Sequence, residues 1–293
     1  MPSLSRRGSM VWTLGAACVL SSCTIDEGRL RPDSGAADSQ ASDTALDGTL
    51  DGTLDGAHDT TGDGVPEAAA DASDTADVAD TAMGPDSGAT VAIPAGTLSA
   101  GEVTYSVAVG AFELDRTEVT VRAYGLCVAA GRCATAELTG CSYATWGAGA
   151  DDMPINCVSW NEAVAFCAWA GKRLPTEWEW EYAARYDDGR TYPWGAGAPS
   201  GTNACWNRTS GPCPTASSSP EGDSKLGLED LAGNVCEWTA SWFCASPPCT
   251  SGSERAYRGG NWDLTDPTNL RSTQRLGISP DLRTWSLGFR CAR

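Results

Sequence analysis

The sequence has little of what several functional classes require. It contains one histidine, His58, so a three-histidine iron site cannot be built from this chain. Its 20 basic residues are outnumbered by 38 acidic ones and form no patch, so we expect no nucleic-acid partner. The apolar run Met10–Leu20 is too short to span a bilayer as a mature helix. We therefore expect an exported or membrane-anchored protein whose function does not depend on histidine ligands.

The N-terminus has the features of a bacterial lipoprotein signal, and residues 1–22 are predicted to be the signal peptide. Arg6 and Arg7 precede the short apolar run, which ends in small residues directly before Cys23. This pattern predicts lipidation of Cys23 and attachment to the membrane through that lipid. A plain secretory signal with a chance cysteine is the alternative. Thr24 after Cys23 is not the aspartate that retains lipoproteins at the inner membrane, so we expect an outer-membrane or cell-surface location.

Residues 23–90 comprise Cys23 and a predicted disordered acidic tether. Residues 24–90 hold 16 acidic and 2 basic residues and almost no aromatic ones, so they cannot bury enough apolar surface to fold. Aspartate recurs every fourth residue from Asp43 to Asp63, which leaves a calcium-binding repeat as an alternative to a solvated spacer. We favour the spacer because neither the calcium β-roll nonapeptide nor an EF-hand loop is present.

Residues 91–293 have the length of one domain and hold 11 of the 13 cysteines. An exported domain with this many cysteines is predicted to contain disulfides, and the odd number leaves at least one thiol over. Short strands are predicted between residues 91 and 115, and a helix over 117–130. Capping boxes at Ser159 and Thr176 predict two further helices, ending near Gly171 and Arg185.

Seven segments of this domain follow one another in a recognisable order. They are Glu113-Leu-Asp-Arg-Thr-Glu-Val-Thr120, Pro154-Ile-Asn-Cys-Val-Ser-Trp160, residues 167–185, Tyr192-Pro-Trp-Gly195, Leu231-Ala-Gly-Asn-Val-Cys-Glu-Trp-Thr239, Arg258-Gly-Gly-Asn-Trp262 and Leu287-Gly-Phe-Arg-Cys-Ala-Arg293. This series resembles the formylglycine-generating enzyme, or sulfatase-modifying factor, domain family. The resemblance implies an irregular, loop-rich α+β domain with a C-type lectin-like fold. It does not by itself imply activity, because function depends on the site.

The resemblance also shows which part of the family's chemistry this chain lacks. The copper-dependent enzymes carry two cysteines after the Gly-Gly segment, and thiolates are the soft ligands that Cu(I) prefers. Here Gly259–Ser272 contains no cysteine, and Ser286 replaces the asparagine that precedes the final Gly-Phe-Arg-Cys. Copper is therefore not expected as a cofactor, and no catalytic residue is identified.

Calcium is the cofactor that the resemblance supports. The segment matching one family site would supply the carboxylates of Asp230 and Glu237 and the backbone carbonyls of Gly233 and Val235. The alternative is that this segment only organises a turn. A second family site would begin at Asn203 and is doubtful here, because its downstream Asp-Gly partner is not evident.

The resemblance implies a disulfide between Cys167 and Cys291, whereas a second family disulfide maps onto Ala184 and Ser272 and is lost. The remaining local pairs are predicted from proximity along the chain and stay open. Cys236 is left over, either as a reactive thiol or as a buried inert cysteine, and we favour the second. The local pairs are Cys127 with Cys133, Cys141 with Cys157, Cys205 with Cys213, and Cys244 with Cys249.

Three functional hypotheses follow. The favoured one is an envelope lipoprotein whose domain is non-catalytic or of unassigned activity and binds a protein, peptide or glycan. The second is an oxidoreductase that converts a cysteine of an exported protein to formylglycine. The third is a structural surface-coat protein without a ligand. The tryptophans could stack on a sugar or peptide, although we expect most of them in the core.

Overall fold

The computed structural model describes residues 88–99, 106–135, 141–147, 149–244 and 249–293. The predicted lipidation site Cys23 and the acidic tether lie outside these residues. The described part forms an α+β domain in which short strands and three helices are joined by long loops, as the sequence predicts. None of its helices is long and apolar enough to cross a membrane.

Four short strands open the domain. Strand β1 pairs antiparallel with β4, and β2 pairs antiparallel with β3. The backbone N–H of Glu113 donates to the carbonyl of Arg293 at 2.7 Å, so the last residues of the chain extend the β1–β4 pair. The strands are β1 (Thr90–Ile93), β2 (Gly96–Ser99), β3 (Ser106–Val109) and β4 (Phe112–Asp115).

Three helices follow: α1 (Val121–Ala129), α2 (Trp160–Trp169) and α3 (Glu177–Arg185). The prediction placed the start of α1 four residues too early. Thr120 is extended, and its side chain accepts a hydrogen bond from the backbone of Ala123, so it caps the helix instead of continuing it.

Both predicted capping boxes are present. The side chain of Ser159 accepts from the backbone of Glu162, whose carboxylate accepts in return from the backbone of Ser159. Thr176 and Glu179 make the same reciprocal pair at the start of α3. Each box satisfies backbone donors that have no partner within the helix, which explains why these two starts could be read from local sequence.

The C-terminal part forms a four-stranded sheet in the order β7-β6-β5-β8. Strand β8 runs parallel to β5, whereas β5–β6 and β6–β7 are antiparallel. A short 3-10 helix, Pro267–Leu270, lies between β6 and β7. The strands are β5 (Cys236–Trp242), β6 (Arg255–Arg258), β7 (Leu276–Ile278) and β8 (Leu287–Gly288).

The core is divided into clusters held by large aromatic side chains. One cluster packs Phe166 of α2 against Phe289 with their ring centroids 5.4 Å apart, and includes Trp238 of β5. A second is built around Trp180 of α3 and includes Leu114 of β4. Helices α2 and α3 therefore anchor separate parts of the sheet and loops.

Most of the described tryptophans lie in the core or pack against it. Trp180, Trp238 and Trp262 are at most 2% exposed, whereas the other eight described tryptophans are half-buried. Six of these eight pack against a core cluster; Trp242 and Trp285 are not among the six. Parts of the half-buried rings reach the surface of the domain.

The structure joins ten cysteines into five disulfides. Cys167 is bonded to Cys291 across a sequence separation of 124 residues, the pair that the family resemblance implies. Cys236 is the one cysteine of the described residues outside these disulfides, and it is buried. The four local bonds join Cys127 to Cys133, Cys141 to Cys157, Cys205 to Cys213, and Cys244 to Cys249.

Candidate functional site

Three buried carboxyl groups and one buried guanidinium meet beneath the turn that leads into β5. Glu118 comes from the segment between β4 and α1, Asp230 from the turn, Glu237 from β5, and Arg290 from the residues after β8. Each of the four residues is at most 7% exposed. Buried charges need partners, so the pairing among these side chains decides what the site can do.

Glu237 and Arg290 form a complete pair. Nε and Nη2 of Arg290 donate to the two carboxylate oxygens of Glu237, each at 2.8 Å, and both side chains are fully buried. Trp180 Nε1 also donates to Glu237 Oε2 at 2.8 Å. The predicted calcium ligand Glu237 therefore already has a bidentate cationic partner, which satisfies most of its demand for positive charge.

Glu118 and Asp230 are less well compensated. Glu118 accepts from Asn234 Nδ2 at 3.3 Å and from the backbone of Val235 at 3.5 Å, both long hydrogen bonds. Burial, together with the charges of Asp230 and Glu237, raises the pKa of Glu118 well above its usual range. Burial also raises the pKa of Asp230 to about 6, although its carboxylate accepts a hydrogen bond from the backbone of Ala216. These two groups therefore favour a bound proton or cation.

The turn that presents Asp230 has an unusual backbone. Asp230 and Asn234 both have φ of 56°, in the left-handed region that non-glycine residues rarely adopt. Gly233 between them has φ of 90°, and a Cβ there would lie 2.5 Å from the carbonyl oxygen of Cys205. Only glycine fits this close approach, which presses the turn against the loop that begins at Cys205.

The donor set of this cluster fits a hard cation in part. Carboxylate and carbonyl oxygens are what calcium requires, and Asp230 and Glu118 are carboxyl groups that could bind a cation in place of a proton. However, Glu237 is engaged by Arg290, whose charge also lowers the pKa of Glu118 and of Asp230 and so compensates both carboxyl groups in part. The described residues contain no group of three or more His, Cys, Asp or Glu side chains arranged to hold a metal. The assignment of calcium to Asp230, Gly233, Val235 and Glu237 stays a prediction.

In the region of the doubtful second calcium site, the side chain of Asn203 forms hydrogen bonds within its own loop. Asn203 Oδ1 accepts from the backbone of Ser200 at 2.7 Å, and its Nδ2 donates to the carbonyl of Ala198 at 3.5 Å. The side chain of Asn203 thus folds back onto its own loop, and Cys205, two residues later, is tied to Cys213.

The segment that carries the copper ligands in the enzymes is used here for packing. Leu264 and Leu270 join a small apolar cluster with Tyr192. Cys236 is buried, and its sulfur accepts from Asn261 Nδ2 at 3.8 Å. A lone buried thiol cannot supply the pair of thiolates that Cu(I) prefers, so the described residues hold no copper pair.

Three aromatic rings form a second feature, here called the aromatic face: Tyr143, Trp262 and Trp285. The ring centroids of Tyr143 and Trp285 lie 4.8 Å and 4.9 Å from that of Trp262. Trp262 is buried, and its Nε1 has no hydrogen-bond partner among the described residues, whereas Tyr143 and Trp285 are half-buried. An unpaired buried donor is costly to stability. Because this N–H is buried, the parts of the aromatic face that a ligand could contact are the half-buried rings of Tyr143 and Trp285.

Fold and site together define a loop-rich, C-type lectin-like α+β domain with a buried carboxyl–arginine cluster and no thiolate pair. The sequence matches the family described as Sulfatase-modifying factor enzyme 1-like domain over residues 75–293. The chain belongs to this family.

Curated relatives of this family include enzymes and an inactive member. The chain is 42% identical over 157 residues to the inactive C-alpha-formylglycine-generating enzyme 2 of Bos taurus, covering 48% of this chain and 50% of the relative. It is 37% identical over 168 residues to the formylglycine-generating enzyme of Streptomyces coelicolor, covering 49% and 54%. Hercynine oxygenase of Mycobacterium tuberculosis is 38% identical over 158 residues, covering 48% and 37%. The chain thus spans about half the length of the first curated relatives it matches.

Solved structures support the fold. PvdO from Pseudomonas aeruginosa superposes with a TM-score of 0.58 at 22% identity, covering 70% of this chain and 93% of that one. Treponema denticola variable protein 1 gives a TM-score of 0.56 at 23% identity, covering 69% and 94%. At this level of identity the likeness concerns the fold alone.

Sequence reasoning missed two members of the buried cluster and the aromatic face. Glu118 and Arg290 lie in segments that carried the family resemblance, but nothing local indicated that their side chains meet. Arg290 and Glu237 are 53 residues apart, and only the parallel pairing of β8 with β5 brings them together. Tyr143 lies in a loop without periodicity, so no local pattern could place it beside Trp262.

Proposed function

We propose that this chain is an envelope-anchored lipoprotein whose sulfatase-modifying-factor-like domain is non-catalytic and binds a protein, peptide or glycan. Lipidated Cys23 would hold it to the membrane, at the outer membrane or cell surface, and the acidic tether would carry the domain away from the lipid. The observation that carries the binding function is the aromatic face, in which the half-buried rings of Tyr143 and Trp285 pack on Trp262.

The missing cysteine pair supports a role without copper chemistry. Gly259–Ser272 holds no cysteine, and the one cysteine of the described residues outside a disulfide is buried. A bovine relative that shares 42% identity with this chain over about half its length is named an inactive enzyme. The scaffold can therefore be kept while the reaction is lost, as expected when function resides in a site and not in the fold.

The aromatic face has the composition of a recognition surface. Tyr143 and Trp285 present ring faces and edges that can stack on a sugar ring or a peptide side chain with little loss of side-chain entropy. Arg208 and Ser210 are exposed polar residues of the neighbouring loop, whose backbone contacts Tyr143 and Trp262. An aromatic centre with a polar rim is the usual arrangement of a protein interaction site.

The test is a binding screen with a matched control. The purified full chain is applied to glycan and peptide arrays, and the best probe is measured by biolayer interferometry. Removing an aromatic anchor should weaken binding by about tenfold or more, so Trp285→Ala is expected to do so. Trp169→Ala removes an equally half-buried tryptophan of α2 and is expected to keep the affinity within about twofold. If the folded chain binds none of the array probes, the proposal is overturned.

We also propose that calcium occupies the site at Asp230. Glu118, whose buried carboxyl group has a raised pKa, would complete the set of carboxylate ligands. The ion would stabilise the turn without taking part in a reaction. Plasma mass spectrometry on the dialysed chain should find near-stoichiometric calcium, and Asp230→Asn should lose it. Bound copper or iron at that level would instead support the oxidoreductase hypothesis.

A further inference from the structure

The loop closed by the Cys205–Cys213 disulfide, here called the 205–213 loop, supports the turn of the acidic cluster. The backbone of Asn234 donates to the carbonyl of Cys205 at 2.8 Å, and the backbone of Cys213 donates to Asn234 Oδ1 at 2.9 Å. Both ends of the disulfide therefore hold one residue, Asn234, whose Nδ2 reaches Glu118. The close contact of Gly233 with Cys205 adds to this support.

The same loop also supports the aromatic face. The backbone of Arg208 donates to the carbonyl of Trp262 at 2.9 Å, and Tyr143 Oη donates to the carbonyl of Thr209 at 3.3 Å. The backbone of Trp262 in turn donates to the carbonyl of Asn234 at 2.9 Å. A single covalent bond between two cysteines thus closes a loop that positions two of the three rings.

The disulfide is open to attack from one side. Cys205 is 3% exposed, but Cys213 is half-buried and is followed by the exposed Pro214. Cys167 and Cys291, by contrast, are both fully buried. Cys213 is therefore the more accessible end of this bond, whereas both ends of the long-range bond are shielded. Thiol–disulfide exchange requires access to a disulfide sulfur, so the Cys205–Cys213 bond is the more open of the two to a reductant.

We propose that Cys205–Cys213 is a redox-modification site at which a dithiol controls the aromatic face. A thiolate of the dithiol attacks the sulfur of Cys213, forming a mixed disulfide and releasing the Cys205 thiolate. The second thiol of the dithiol then attacks the mixed disulfide and releases Cys213. Two electrons pass from the dithiol to the protein, the dithiol becomes a disulfide, and its two protons end on Cys205 and Cys213. The freed loop no longer fixes Tyr143, Trp262 or Asn234, so ligand affinity falls; this last step rests on the proposed binding function.

The bond between Cys244 and Cys249 provides a matched control. It also closes a short loop, and both of its cysteines are half-buried. None of the contacts described for the 205–213 loop involves these two cysteines. Cys205→Ala/Cys213→Ala and Cys244→Ala/Cys249→Ala therefore remove comparable cross-links with different expected effects.

The experiment combines hydrogen exchange with binding on the full chain. In Cys205→Ala/Cys213→Ala, and in wild type reduced with dithiothreitol, amides of residues 205–216 and 230–236 should exchange at least about tenfold faster. The binding probe selected on the arrays should bind at least about tenfold more weakly, and the control variant should match wild type in both measurements. Alkylation followed by mass spectrometry should show Cys205 and Cys213 reduced before Cys167 and Cys291.

Unchanged exchange in the reduced wild-type chain would overturn the proposal even if the double variant does not fold. Earlier reduction of Cys167–Cys291 would overturn it as well. If exchange accelerates as expected but the oxidised chain binds no array probe, the loop release stands and the proposed binding function fails.

Discussion

The charged side chains of this domain fall into two groups: some pair with a residue close in sequence, and others pair with a residue far away in sequence. Glu162 and Glu179 are N3 residues of capping boxes, three positions from the hydroxyl they accept from, so local sequence is enough to place them. Arg173 also binds Glu179 across six positions with two hydrogen bonds of 2.7 Å, as expected for a structural ion pair. The Glu237–Arg290 pair depends on tertiary structure and could not be predicted.

Glu162 provides a pH-dependent prediction. Burial raises the pKa of Glu162. Two hydrogen bonds from Arg283, both at 2.9 Å, and hydrogen bonds from Ser159 lower it by more, so the net pKa lies below 4.5. A depressed pKa contributes stability above pH 4.5, and this contribution is lost as the pH falls through the folded-state pKa. We expect Glu162→Gln to lower the free energy of unfolding by about 1–2 kcal/mol at neutral pH, measured in urea. The difference from wild type should vanish in acid.

The exposed Glu221 serves as the control for this series. Glu221→Gln is expected to change stability by less than about 0.5 kcal/mol at any pH. An equal loss for Glu162→Gln in acid and at neutral pH would contradict the electrostatic explanation.

The elements of secondary structure fall into two groups by how far they could be predicted. The capping boxes at the start of helices α2 and α3 are recognisable in the sequence, so the first residue of each helix was predicted correctly. The strands are two to seven residues long, and β8, with two residues, exists only because it pairs with β5. Such pairing depends on residues distant in sequence, which is why the positions of the strands in the C-terminal sheet could not be predicted from local sequence.

Gly288 in β8 tests how closely this pairing packs. A Cβ at Gly288 would lie 2.4 Å from the carbonyl oxygen of Ile155 and 2.9 Å from Cγ2 of Val235. Because one of these atoms is backbone, Gly288→Ala should destabilise the domain by about 2–4 kcal/mol, measured by thermal unfolding with circular dichroism. At Gly110 a Cβ would meet nothing within 4 Å, so Gly110→Ala should be nearly neutral. Equal stability of the two variants would show that β8 is loosely held.

At the scale of the whole molecule, family resemblance predicted more than composition did. The long collinear segments predicted the lectin-like fold and the missing copper pair. They could not predict the aromatic face, because exposure of tryptophan depends on which loops cover it. Tyr143 and Trp285 are half-buried only in the context of the 205–213 loop and the segment that follows β7.

The Cys167–Cys291 bond spans most of the domain and should dominate its resistance to unfolding. It ties the end of α2 to the residues after β8. Closing a loop of more than a hundred residues is worth about 4–5 kcal/mol in the chain-entropy model, against about 2 kcal/mol for the short Cys244–Cys249 loop. Urea unfolding of the two double alanine variants should show this order. A smaller loss for Cys167→Ala/Cys291→Ala would contradict it.

Strand β1 and Arg293 meet at one side chain. Glu113 accepts from Thr90 Oγ1 at 2.9 Å and from Arg293 Nη2 at 2.7 Å through the same carboxylate oxygen. A segment whose two ends lie close together can be inserted into a surface loop of another protein without stretching that loop. We therefore expect residues 90–293, inserted between two neighbouring residues of a carrier protein, to need only short spacers to keep their fold.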